Sequence, residues 1–175
     1  MSISSLYIHV PFCAIKCDYC AFHSVPSQDR DLHRTFLVRL AEEFNEYTDD
    51  TEELKTIFIG GGTPSLLHSK DLETLLQSIR TSFRLAPSTE FTLEANPESL
   101  TREKIIIFSQ YGGNRISLGV QSFSAVLRRT MGRHGSLDAL ERIMTDCTYA
   151  AITNISFDFI YAVPGETKRL WRNDL

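Results

Sequence analysis

No stretch of this 175-residue sequence approaches the roughly 18 apolar residues that a membrane span needs. Its opening, MSISSLYIHVPF, has no cationic segment followed by a long apolar run, so no secretory leader is expected. Charge of one sign is nowhere concentrated: 18 Lys and Arg against 22 Asp and Glu give a net charge of −4 without a block of like charge. That argues against a basic groove for nucleic acid and against a polybasic face for lipid. Repeats and low-complexity runs are absent. Cysteine is sparse as well, with four residues, three crowded between positions 13 and 20 and Cys147 standing alone. Such a distribution is a poor disulfide framework. Clustered thiols without a leader point instead to metal ligation in a reducing compartment. The expected location is the cytoplasm, with an organellar matrix as the alternative. What the sequence does have is apolar material, 42% of it, enough for the core of one globular domain.

Short β-rich runs alternate with helical patterns along the chain. LYIHV (6–10) precedes RTFLVRLAEEFNEY (34–47), where Phe36, Leu37, Leu40 and Phe44 recur at helical spacing. TIFIGGG (56–62) precedes a helix opening near Ser69 with Leu72, Leu75, Leu76 and Ile79 on one face. EFTLEANP (90–97) precedes a helix with Thr101 as N-cap, and RISLGVQSF (115–123) precedes one with Ser136 as cap. NISFDFIYAVP (154–164) reads as a fifth strand, with a helix starting near Lys168. This alternation predicts an α/β protein with a parallel sheet.

Period-2 alternation then sorts the strand faces. Thr92, Glu94 and Asn96 oppose Phe91, Leu93 and Ala95; Ser117, Gly119 and Gln121 oppose Ile116, Leu118 and Val120; Ser156 and Asp158 oppose Ile155, Phe157 and Phe159. The apolar face should meet the helices. The polar face should line a hollow that takes a polar ligand, because carboxylates such as Glu94 and Asp158 are costly to bury unpaired. An open sheet with one solvated face fits less well, since parallel sheets are normally covered on both sides.

The stretch CAIKCDYCAF (13–22) spaces its thiols Cys13-x3-Cys17-x2-Cys20 on the loop after the first strand, the end of α/β folds where active sites sit. Three readings are open. A zinc site would need a fourth ligand, from His9 or His23. An iron–sulfur cluster would take one thiolate per iron and leave one iron of four open to a ligand. Buried structural thiols are the bland alternative. Cys147, without a partner at metal-binding spacing, reads as a buried helical thiol, and the other histidines, His134 included, as surface or capping residues.

In order, YIHVPFCAIKCDYC, GGGTPS, EANPE, LGVQSF, MGR and DFIYAVPGET resemble the motifs of the radical S-adenosylmethionine enzymes of the oxygen-independent coproporphyrinogen III oxidase/dehydrogenase group, which includes haem chaperones of the HemW type. The resemblance runs over essentially the whole chain. It implies a partial (β/α)6-type barrel of parallel strands, truncated after about five strand–helix units. Residues 1–175 would be the radical SAM core of a longer protein, with the rest of the barrel and a C-terminal domain lying beyond. It also implies a 4Fe-4S cluster on Cys13, Cys17 and Cys20, whose open iron would chelate S-adenosyl-L-methionine. An electron donor such as flavodoxin or ferredoxin would then feed cleavage of the sulfonium bond. Cofactor contacts carried over from the family fall on Tyr7, Tyr19, Gly61, Gly62, Thr63, Glu94, Gln121, Arg133 and Asp158. The bare backbone of Gly60, Gly61 and Gly62 would let the methionine end of the cofactor approach.

Within the group, the dehydrogenase carries a further cysteine two positions after the triplet. Phe22 stands there in this chain, as in the haem-chaperone type. The expectation is therefore a HemW-like protein that binds haem and acts in its trafficking. The alternatives are a coproporphyrinogen III dehydrogenase that turns propionates into vinyls, and an inactive metal-binding fragment. One departure from the group's pattern is Ala162, where a glycine is usual. No catalytic residue is assigned, and the chain alone is expected to be inactive.

Overall fold

The computed structural model describes residues 3–175. In chain order it begins with strand β1 (Ile3–Val10), the two-residue strands β2 (Phe12–Cys13) and β3 (Val25–Pro26), helix α1 (Arg30–Tyr47), strand β4 (Thr51–Gly61) and helix α2 (Ser69–Ser82). Strand β5 (Leu85–Ala95), helix α3 (Arg102–Gln110), strand β6 (Arg115–Gln121), helices α4 (Ala125–Thr130) and α5 (Leu140–Tyr149), strand β7 (Asn154–Phe159) and helix α6 (Lys168–Asp174) follow. Five strands form one sheet in the order β1-β4-β5-β6-β7, every neighbouring pair parallel. Strands that follow one another in this sheet lie side by side, joined by helical crossovers. Among the described residues β1 and β7 are edges, so the sheet is the partial α/β barrel of five parallel strands expected. No helix among them is long and apolar enough to cross a membrane.

The apolar strand face packs on the helices as the alternation requires. Ile57, Ile59, Phe91, Leu93, Ile116 and Leu118 share one core with Leu72, Leu75, Leu76 and Ile79 of α2, Ile105 and Phe108 of α3 and Ile143 and Cys147 of α5. Each such side chain contributes roughly 1.5–3 kcal/mol on burial. The Phe91 and Phe108 rings meet edge to face at 5.2 Å, the arrangement their quadrupoles prefer. On the edge strand β7, Phe157 stays 37% exposed.

Local signals set most helix starts. Thr101 caps α3 by accepting from the Lys104 N–H, and Asp29 caps α1 by accepting from those of Asp31 and Leu32. Because Asp29 caps, α1 begins at Arg30 rather than at Arg34. Ser136 does not cap α5: its Oγ accepts from the Asp138 N–H at 3.0 Å, and the helix starts at Leu140. The last strand does not reach Pro164: it ends at Phe159, level with Gln121 where its partner β6 ends, and Ala162 follows at φ +61°. Strands β4 and β5 start five residues before the expected Thr56 and Glu90. Helix α4, capped by Ser124, lies in a stretch to which the sequence pattern assigned no element. His33 also departs from the surface role expected of it: it is buried and stacks on Phe12 with ring centroids 4.2 Å apart.

Candidate functional site

The polar strand face and the cysteine loop enclose a cavity of about 510 Å³, within the range that takes cofactor-sized ligands. Cys13, Cys17, Cys20 and Tyr19 line it from the loop, Gly61, Gly62 and Thr63 from the end of β4, and Glu94, Gln121, Arg133 and Asp158 from β5, β6, the turn after α4 and β7. Eleven of the twelve residues singled out in the sequence thus meet at one place. Tyr7 is not in the lining: on edge strand β1 its ring stacks on Phe58 at 6.0 Å, and its hydroxyl donates to Nδ1 of His9 at 3.2 Å. Asn96, Ser117 and Arg115 also line the cavity without having been singled out as site residues. For Asn96 and Ser117 the signal was there, since both lie on the polar strand face.

The cysteine loop is short and well anchored. The β2–β3 ladder closes it, with the Ser27 N–H donating to the Cys13 carbonyl at 3.0 Å. Inside it, the Cys20 N–H donates to the Cys17 carbonyl at 3.1 Å. At its far side the Asp18 N–H donates to the Met131 carbonyl at 3.3 Å, and the Asp18 carboxylate lies over Gly132, where an added Cβ would come within 2.7 Å of it. The MGR segment (131–133) is therefore the floor on which the loop rests. Among the described residues no three thiol, imidazole or carboxylate groups converge on a point where one metal ion would sit. Nor is His9 free as a fourth ligand. Its Nε2 donates to the His23 carbonyl at 2.8 Å, which fixes the proton on Nε2, and Nδ1 is taken by Tyr7.

The three glycines serve the protein itself. A Cβ on Gly60 would meet the Glu94 carboxylate at 2.8 Å, one on Gly61 the His9 ring at 2.8 Å, and one on Gly62 the Phe12 carbonyl oxygen at 2.6 Å. Their N–H groups are also in use: Gly61 donates to Glu94 Oε2 at 3.1 Å and Gly62 to the Val10 carbonyl at 2.8 Å. Absent side chains here make room for neighbouring protein atoms, while Gly61 and Gly62 line the cavity with bare backbone.

Charge in the cavity has both signs. Burial raises the pKa of Glu94, offset in part by the Gly61 N–H, with Asp158 pushing it further up. Burial also raises Asp158, against the hydrogen bond from the Ser117 hydroxyl and the charges of Arg115 and Arg133. Tyr19 is raised by burial, which the nearby Arg133 opposes. Arg133 is buried, and its Nη2 donates to Asn96 Oδ1 at 2.6 Å and to the Gly119 carbonyl at 2.7 Å. Its guanidinium also serves as a hydrogen-bond donor to Tyr19. Gln121 holds φ at +67° where β6 leaves the sheet, a strained position of the kind that gathers at ligand sites. Ser24 adds an orphan to the same wall, a buried hydroxyl with no partner.

Comparison with known proteins bears on this arrangement. The radical SAM superfamily model matches residues 7–174. The heme chaperone HemW of Lactococcus lactis is 40% identical, covering 98% of this chain and 45% of that protein. An oxygen-independent coproporphyrinogen III oxidase of Bradyrhizobium diazoefficiens is 33% identical, over 94% of this chain and 37% of that one. This chain thus spans less than half the length of these curated relatives. The solved structure of coproporphyrinogen III oxidase (HemN) from Escherichia coli, a radical SAM enzyme, superposes with a TM-score of 0.89 at 23% identity, over 97% of this chain and 40% of its own.

Proposed function

The chain belongs to the radical SAM superfamily, and on that premise we propose that Cys13, Cys17 and Cys20 hold a 4Fe-4S cluster at the wall of the cavity and that S-adenosylmethionine fills the space beside it. The observation that carries this reading is the meeting of three thiols with Glu94, Arg133 and Asp158 on one cavity of about 510 Å³. The donor set fits. Thiolates suit iron–sulfur clusters, and three of them leave one iron to be ligated from outside the protein. The acidic pair Glu94 and Asp158 complements a sulfonium or ammonium group, while the Arg133 guanidinium complements a carboxylate. When bound, the two groups supply one-electron chemistry that the polypeptide lacks. The chain's own residues orient and shield: β5 and β7 hold the carboxylates, and the loop from Cys13 to Cys20 covers the mouth, with Tyr19 and Phe22 in its lining.

Within the superfamily we favour haem handling of the HemW kind over decarboxylation of coproporphyrinogen III. Phe22 occupies the position of the further cysteine, and it is 58% exposed at the cavity wall, where an apolar face suits a porphyrin ring. Relatives named heme chaperone HemW, from Lactococcus lactis and Escherichia coli among others, support the same choice. The second reading, an oxygen-independent coproporphyrinogen III oxidase, draws support from the Bradyrhizobium relative. The protein would act with an electron donor such as flavodoxin or ferredoxin.

The test is anaerobic reconstitution of the full-length gene product with iron and sulfide, followed by haem titration and, separately, supply of coproporphyrinogen III with S-adenosylmethionine and reductant. Expected are a broad visible absorption that is lost in Cys13→Ser, Cys17→Ser and Cys20→Ser but kept in Cys147→Ser, saturable haem binding, and no vinyl product. Vinyl product would establish the second reading. Equal loss of the absorption in Cys147→Ser would sink the ligand assignment.

A further inference from the structure

We propose that Asn96 is a positioning residue that links Arg133 to the sulfur of Cys13 through a hydrogen-bond chain running in one direction only. The inference rests on the reading of Cys13 as a cluster ligand. Arg133 Nη2 lies 2.6 Å from Asn96 Oδ1, Asn96 Nδ2 lies 3.3 Å from Thr63 Oγ1, and Thr63 Oγ1 lies 3.7 Å from Cys13 Sγ. The four residues come from the turn after α4, the end of β5, the end of β4 and β2, and the chain they form lies along the cavity wall.

Its direction follows from donor inventory. A guanidinium only donates, so the Asn96 oxygen must face it and the Asn96 amide nitrogen must face Thr63. That nitrogen also only donates, so Thr63 Oγ1 accepts from it and its own hydrogen is left for the sulfur. Every link thus hands a donor towards Cys13, and a fixed positive charge stands at the far end. Thr63 and Cys13 are both buried, at 6% and 8% exposure, so water competes little for the last link. Two further features hold Asn96 in place. Its backbone N–H donates to Ser65 Oγ at 3.0 Å, and an added Cβ on Gly119 would come within 3.1 Å of its Oδ1. The inward glycine of β6 is what allows the amide and the guanidinium to meet.

A donor on a ligating sulfur stabilises the more electron-rich state of a cluster, and hydrogen bonds to sulfur are among the terms that set its potential. The chain should therefore raise the midpoint potential of the cluster and make reduction easier. The experiment is an EPR-monitored redox titration of the reconstituted full-length protein. Thr63→Val, close in shape but without the hydroxyl, should shift the potential to more negative values, and Thr63→Ser should restore it. Asn96→Asp separates direction from packing. The carboxylate still accepts from Arg133 but cannot donate to Thr63, whose hydrogen then turns away from the sulfur, so its shift should have the same sign. Unchanged potentials in both Thr63→Val and Asn96→Asp, with cluster absorption intact, would overturn the inference alone. A shift in Thr63→Val but not in Asn96→Asp would remove Asn96 from it. A wild-type protein that takes up no cluster would overturn this inference together with the proposed function.

Discussion

The imidazole of His9 fills the space where Gly61 would carry a side chain: a Cβ built there would lie 2.8 Å from Nδ1 of His9. Gly61 also holds φ at +111°, a conformation that L side chains rarely adopt. Two independent reasons, one steric and one conformational, therefore require glycine at this position before any ligand is considered.

Gly61→Ala should accordingly destabilise the protein in the absence of cofactor, by about 1–3 kcal/mol. Urea unfolding of the wild type, Gly61→Ala, His9→Ala and the double variant checks it. The double variant should be less destabilised than the sum of the singles, because removing the ring relieves the clash. Strict additivity would show that the conformational reason acts alone.

Glu94 and Asp158 make an opposite kind of prediction. Both carboxyls have raised pKa values in the folded protein, chiefly through burial, so folding favours their protonated forms. Their contribution to stability is fully present below the ordinary carboxyl range, near pH 4, and fades as pH rises through the raised folded values. At neutral pH the pair therefore opposes folding. Glu94→Gln and Asp158→Asn should each raise the urea midpoint at pH 7 relative to wild type, and the difference should shrink towards pH 4. A variant less stable than wild type at pH 7 would mean that its hydrogen bond, from the Gly61 N–H or from the Ser117 hydroxyl, outweighs the burial cost.

Ala162 stands at φ +61° without the freedom of glycine. The left-handed conformation costs a residue with a Cβ roughly 1–2 kcal/mol, while glycine loses about 0.5–1 kcal/mol more backbone entropy on folding. Ala162→Gly should thus stabilise by about 0.5–1 kcal/mol, and β-branched Ala162→Val should destabilise. Thermal unfolding of both variants decides it. A neutral Val variant would show that the turn relaxes out of the left-handed region.

The same residue illustrates what sequence could and could not convey. Ala162 was conspicuous as the alanine in a place where glycine is usual, yet only the backbone reveals the reason, a positive φ in the turn beyond β7. Periodicity carried the sheet well, because polar and apolar positions on β5, β6 and β7 alternate with a period that leaves one face to the helices. The spacing of Cys13, Cys17 and Cys20 marked the loop, since residues that close in sequence must be close in space. Harder to read were arrangements built from distant segments. Alternation placed Asn96 on the polar face but could not show its partners, since its bonds go to Arg133 and Thr63, 37 and 33 residues away. Ser136 misled for a related reason. Its hydroxyl found a nearer partner in the Asp138 N–H, and side-chain bonding of this local kind competes with capping.

The clasp between Asp18 and the Met131–Gly132 turn sets an order of assembly. The three thiols leave the ribosome early, but the floor they rest on is synthesised more than a hundred residues later. Contacts of such sequence separation form late, after the intervening strands and helices have brought their ends together. Until β6 and α4 are in place, the loop lacks the support that Met131 and Gly132 give its far side. The final shape of the loop therefore waits on completion of the sheet through β6 and on the turn at Met131–Gly132 that follows it.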